Sequence, residues 1–271
     1  MKKSTSILIW IFAFIFTIGI AVYQRMTGPT YPVRGKTEIG GKQIKYRLIR
    51  SWEKPGDAEV RLEVPGNVEG TIRFKRFHTD DQWTEQQMAR EDNDLVGLLP
   101  HQPPAGKIEY QVSLKDNGQS VTLNETPTVV RFTGTVPKYI LIPHILLMFI
   151  AMMMSTRTGL EAIFKGTKTY SYALVTVTTL FLGGLILGPI VQKYAFGQLW
   201  TGWPFGGDLT DNKTLIAFIF WLIASIRLYK KRDDRVWAIV AMVVLLMVYL
   251  IPHSMFGSEL NYKSGNITTG K

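Results

Sequence analysis

The chain has 271 residues, 31 Lys and Arg against 21 Asp and Glu, 46% hydrophobic residues and no cysteine. That inventory excludes disulfides, thiolate metal sites and cysteine nucleophiles. The apolar residues concentrate at 7–23 and beyond 139 with the charges mostly between, so the positive excess must be located before it is read as a nucleic-acid footprint.

Residues 1–24 open with Lys2 and Lys3 and continue into the charge-free run Ile7–Tyr23. A bilayer is crossed by roughly 20 apolar residues, so this run is expected to be an N-terminal anchor. A basic start followed by an apolar core also describes a signal peptide, with Gly19 and Ala21 as a small-x-small cleavage site. The length of the run and Arg25 directly after it favour the retained anchor. Both readings send the next segment across the membrane.

Residues 31–136 read as short strands and turns. Val33–Ile39 and Gln43–Ile49 flank Gly40-Gly41, a hairpin signal. Glu59–Val64 and Thr71–Phe77 alternate apolar with charged residues, which gives each strand one buried face. Lys107–Leu114 and Ser120–Leu123 flank the Asp116-Asn117-Gly118 turn, and Thr128–Phe132 closes the series. About seven such strands argue for an antiparallel sandwich. Without cysteines the domain must rely on its core, which suits a bacterial source. Asn124, Asn212 and Asn266 open glycosylation tripeptides, a motif short enough to arise by chance.

Four more spans are expected over 139–253: Tyr139–Ser155, Tyr170–Val191, Leu215–Tyr229 and Val236–Pro252, with a tail at 254–271. Leu215–Tyr229 is short enough to be re-entrant, and Arg227 near its end can snorkel to the interface. Gly183, Gly184 and Gly188 form a small-residue patch that admits a neighbouring helix. Seven of the ten net charges fall on the N-terminus, 156–169 and 227–235, which an alternating five-span path places on one side. Lys and Arg mark the cytoplasmic side. The N-terminus is therefore expected in the cytoplasm, with 31–136, the loop 192–214 and the C-terminus in the periplasm of a bacterial inner membrane. The segment 24–138 is nearly balanced, 17 basic to 15 acidic, so no nucleic-acid partner is expected.

The run from Gly70 to Leu114 contains GTIRFKRF, Trp83, Met88, LVGLLP, PPAGKIEY and QVSL. In that order it resembles an immunoglobulin-like domain of the fibronectin type III or early-set kind. The resemblance implies an incoming strand, a Trp, a Met, an outgoing strand ending in Pro, a Pro/Gly turn and a Tyr strand. The expected fold class is an α-helical membrane bundle of about five spans with an inserted all-β immunoglobulin-like sandwich.

Candidate chemistry gathers on the outer face. Pro143-His144 opens one span and Pro252-His253 closes another, at similar depth, and the loop 192–214 adds Trp200, Trp203, Asp208, Asp211 and Asn212. His144, His253, Asp208 and Asp211 are candidate metal ligands, each imidazole oriented by a second acceptor. His144 and His253, with Trp200 and Trp203 alongside, are equally candidates to hold a haem. The structural alternative is that the Pro-His pairs break helices, that Asp208 or Asp211 caps the fourth span and that the two Trp sit in an interfacial belt. The loop holds Gly197, Gly202, Gly206, Gly207 and Pro204 among aromatics, the pattern of an irregular cap where a partner, lipid or quinone-like molecule docks. No nucleotide-binding or hydrolase motif occurs.

The expected function is a non-catalytic accessory or assembly subunit of a larger membrane complex, with the lipid bilayer and a membrane or periplasmic protein as partners. The alternatives are a haem- or metal-binding redox protein and, less favoured, a membrane enzyme acting on lipid or glycan.

Overall fold

The computed structural model describes every residue except Met1, His253, Ser254, Phe256, Gly270 and Lys271. The chain divides into two compact units, residues 1–29, 136–257 and 269–271 in one, and 30–135 with 258–268 in the other.

In the helical unit the helices are α1 (Lys3–Thr27), α2 (Lys138–Ile163), α3 (Thr169–Leu180), α4 (Gly188–Phe196), α5 (Leu209–Lys230) and α6 (Val236–Leu250). A π-helical stretch, Phe181–Leu187, joins α3 to α4, so the described residues form five helical rods. Four of them, Lys3–Thr27, Lys138–Ile163, Thr169–Phe196 and Leu209–Lys230, are long and apolar enough to cross a membrane. Four long spans thus stand where about five were expected, and the fifth rod, α6, is the short one. Charged Asp233, Asp234 and Arg235 bound α6 on one side and Pro252 follows on the other, leaving 15 helical residues. At 1.5 Å per residue these reach about 22 Å, short of a ~30 Å hydrocarbon core.

Small residues bring the helices together. A Cβ on Gly183 would meet Leu147 Cβ at 2.8 Å, and one on Gly184 would meet Thr214 Cγ2 at 2.6 Å. Ala151, Ala173, Ala217, Ala224, Ala238 and Ala241 are fully buried around Trp221, whose indole N–H donates to Ser155 Oγ at 3.1 Å.

In the β unit the strands are β1 (Val33–Ile39), β2 (Lys42–Leu48), β3 (Ser51–Trp52), β4 (Ala58–Glu63), β5 (Glu69–Arg76), β6 (Thr84–Gln87), β7 (Ala89–Glu91), β8 (Asp94–Leu99), β9 (Lys107–Asp116), β10 (Gln119–Thr122), β11 (Thr128–Phe132), β12 (Glu259–Leu260) and β13 (Ile267–Thr268). They form separate sheets: β1-β2, β4-β8-β7, β12-β13, and a six-stranded sheet in the order β3-β11-β9-β5-β6 with β10 paired to β9. The expected single all-β immunoglobulin-like sandwich is corrected accordingly. Among the described residues β1 and β2 pair only with each other, β3 pairs with β11 in parallel, and two strands come from the far end of the chain. Local alternation fixes which face of a strand is buried, not which sheet it joins.

Ile39, Ile44, Leu48, Val60, Leu62, Ile72, Leu99, Leu114 and Val130 share one buried cluster. Tyr110 is fully buried there and donates to Ile49 O at 2.8 Å; burial pushes its phenol far up, so it stays protonated. Asn124 acts as a strand substitute. Its Oδ1 accepts from Val112 N (3.0 Å) and its Nδ2 donates to Tyr110 O (2.9 Å) and Thr128 Oγ1 (3.1 Å). A buried amide bonded at both ends is no glycan acceptor. The 258–268 segment is held by Leu260 N donating to Ala105 O (3.0 Å), by Tyr262 Oη against Lys107 and by Glu259, which pairs with Lys107 Nζ (2.6 Å) and His78 Nδ1 (2.8 Å).

Candidate functional site

The loop between α4 and α5 is built around buried carboxylates. α4 ends at Gly197, whose φ of 84° closes the helix with its N–H on Lys193 O. α5 starts from Asp208, whose side chain accepts from Thr210 N at 2.8 Å, the capping role its position suggests. One turn on, Asp211 Oδ2 accepts from Thr201 N (2.7 Å) and Gly202 N (3.0 Å). Asn212 Oδ1 accepts from Trp203 N at 2.7 Å. Three consecutive loop amides are thus fixed by side chains on the first turn of one helix.

Thr201 is the hub. Its hydroxyl lies 3.2 Å from Asp208 Oδ2 and 3.4 Å from Asp211 Oδ2, and it accepts from Gln192 Nε2. Gln192, Thr201, Asp208, Asp211 and Lys213 are all buried. Lys213 Nζ donates to Ile251 O at 3.0 Å. Gly202 is required here, because a Cβ would come within 2.6 Å of Asp211 Cβ and 2.8 Å of Asn212 Oδ1. Phe205 N and Gly206 N both donate to Gly202 O at 2.9 Å, and the Trp203-Pro204 peptide is cis.

This polar frame displays apolar side chains outward. Trp203 is 70% exposed, Phe205 83% and Leu199 50%. Trp200 is half-buried beneath them, its indole N–H donating to Trp203 O at 3.1 Å. Asp208, Asp211, Trp200 and Trp203 therefore lie in one loop frame, in which the carboxylate oxygens are engaged by backbone amides and the Thr201 hydroxyl.

His144 has its own setting. Its Nδ1–H donates at 2.9 Å to Gly183 O, a carbonyl in the π-helical stretch that also accepts from Gly188 N. A carbonyl only accepts, so this bond places a proton on Nδ1. His253 lies outside the described residues. Among the described residues no three His, Asp or Glu side chains converge as a metal site requires.

A second polar centre escapes the sequence reading, which leaves 156–169 as a loop. α2 continues to Ile163, and Arg157 and Glu161 pair within it at 2.7 Å, their side chains 1% and 3% exposed. The guanidinium lies over Trp10 (5.2 Å) and Tyr172 (4.8 Å) and donates to Ser6 Oγ at 3.1 Å. Glu161 Oε1 accepts from Lys168 N at 3.2 Å. The pair so ties α1, α2 and the start of α3 together. Its signal was present in the i,i+4 spacing of opposite charges.

No family model matches the chain, and comparison with curated proteins and with solved structures finds no match.

Proposed function

We propose that the protein is a non-catalytic accessory or assembly subunit of a larger membrane complex. The observation that carries this reading is the loop 197–208, where buried Asp208 and Asp211 and half-buried Asn212 fix a backbone whose Trp203, Phe205 and Leu199 remain exposed. Exposing large apolar groups costs free energy, and holding them rigid adds to that cost. Rigid aromatic anchors of this kind are what binding hot spots are made of. The partner is a second membrane protein.

The setting we propose is a bacterial inner membrane with the N-terminus cytoplasmic and residues 31–136, the loop 192–214 and the C-terminal tail periplasmic. Supporting this is the grouping of basic residues. The N-terminus, 164–168 and 231–235 all fall on one side when the four long helices alternate. The bonds of 258–268 within the β unit support a common side for that segment and 31–136, which makes α6 a fifth, short crossing that local thinning of the bilayer accommodates.

The test is purification of the full chain in mild detergent from its native membrane, as wild type and as Trp203→Ala/Phe205→Ala. The expected outcome is a stoichiometric membrane partner with the wild type and at least tenfold less of it with the variant, at unchanged thermal unfolding. An equal yield of partner from both proteins, or a wild type that purifies alone, sinks the reading.

A further inference from the structure

The β1–β2 ribbon carries a cationic face that its own register cannot discharge. Val33, Thr37, Ile39, Ile44, Tyr46 and Leu48 alternate toward the core, and Arg34, Lys36, Glu38, Gln43, Lys45 and Arg47 are exposed on the other side. The antiparallel pairing sets Arg34 opposite Arg47 and Lys36 opposite Lys45. Directly opposed Cβ atoms lie about 5 Å apart, and next neighbours on the same face about 7 Å. Four cations therefore occupy one small grid with a single carboxylate, Glu38, which faces Gln43. Like charges directly opposite destabilise a strand pair.

Among the described residues none of the four cations is in an ion pair. Arg34 has an aromatic neighbour, its guanidinium 5.4 Å from the Tyr31 ring centre. Slippage offers no relief, since a shift of one residue would bury the charges and expose Ile39, Ile44 and Leu48. Three further features hold the ribbon and its turn in place. Tyr46 Oη donates to Leu123 O at 2.9 Å, Gly40 and Gly41 hold the turn at φ of 57° and 71°, and a Cβ on Gly40 would strike the Asp116 carboxylate.

We propose that this face docks on anionic phospholipid headgroups. Arg34, Lys36, Glu38, Gln43, Lys45 and Arg47 are all exposed, so the outer face of the ribbon is uncovered. It offers spread charge rather than an enclosed pocket, which suits a planar array of phosphates better than a single small anion. Arg34 and Arg47 bring guanidinium forks that match phosphate oxygens. Only residues 28–32 separate the ribbon from α1, a helix long and apolar enough to cross a membrane. Cations held within about a Debye length of an anionic lipid surface are attracted to it on either side of a membrane.

The chain has no cysteine, so Gln43→Cys gives a single labelling site on this face. The full chain, labelled there with a fluorophore, is reconstituted into nanodiscs of phosphatidylcholine with increasing phosphatidylglycerol and headgroup-quencher lipid. Quenching is expected to rise with phosphatidylglycerol and to fall with added salt. Lys36→Gln/Lys45→Gln is expected to lower the docked-to-undocked ratio roughly 25-fold, about fivefold per cation. Equal quenching in neutral and anionic discs overturns the proposal, as does quenching that survives the double substitution in a protein with an unchanged unfolding transition. A label that stays unquenched in anionic discs but responds to heparin assigns the face to a soluble acidic polymer instead.

Discussion

In the helical unit Ile7, Leu8, Ile145 and Val236 are exposed, whereas Arg157, Glu161, Asp211 and Lys213 are buried. The β unit has the reverse arrangement: Leu48, Leu99, Leu114 and Val130 are buried, and Arg34, Lys36, Arg61 and Glu63 are exposed. One chain thus follows two solvent rules. Apolar side chains on the outside suit helices that can cross a membrane, where association depends on close packing, small residues and hydrogen bonds rather than on expelling water. The β unit is held by its apolar cluster, and its charged groups serve its periphery. The difference teaches where polar substitutions will hurt. In the helical unit they strike the interior, in the β unit the edges.

The severest way to break that contrast is Arg157→Ala. Removing one partner of a buried ion pair leaves the other charge uncompensated, at a cost of about 3–5 kcal/mol. Thermal unfolding in detergent measures it, and Arg157→Met/Glu161→Leu is expected to lose much less. A single substitution no worse than the double one would mean that the pair is not buried as described. Smaller is the effect of Asp211→Ala, which leaves the Thr201 and Gly202 amides without their acceptor and is expected to cost about 1–3 kcal/mol. Limited proteolysis should then cut between Gly197 and Asp208 while the remaining helices stay intact. An uncut loop would show that Asn212 and Gln192 suffice to hold it.

The smallest effect belongs to the edge of the β unit. Burial alone raises the Glu259 carboxyl, but Lys107 and His78 outweigh it and hold it below the ordinary carboxylate range. A depressed native value means that the unfolded form binds its proton first. The contribution to tail attachment is therefore complete above the unfolded value of about 4.3 and fades as pH falls through the depressed one. Hydrogen exchange of 258–268 should quicken with acidification over that window, and Glu259→Gln should flatten the response. An unchanged acid response in that variant would assign the attachment to other bonds, such as Leu260 N to Ala105 O.

Runs of like residues were readable in advance and pairings were not. Thr128–Phe132 is a strand with the ends its β-branched and aromatic run suggests, and Val33–Ile39 likewise. Asp208 caps α5 because a carboxylate ahead of an apolar run has one obvious local use. Asp208 and Asp211 proved to share Thr201, a residue with no signal of its own: a threonine in a glycine-rich loop resembles any other. Arg157 and Glu161 were hidden for a different reason. Two opposite charges near the end of an apolar run look like the start of a loop unless their mutual neutralisation is foreseen.

The sequence by itself determined the helices, most strands, the turns at Gly40-Gly41 and Asn117-Gly118, and the side of each strand that is buried, because these depend on periodicity and backbone preference within a few residues. Only the tertiary structure decided that β1 and β2 stand as a separate ribbon, that 258–268 joins residues 30–135 and that Arg157 is clasped between Trp10 and Tyr172. Most of those outcomes rest on which distant surfaces meet, a choice made by packing and charge pairing over tens to hundreds of residues that local pattern does not encode.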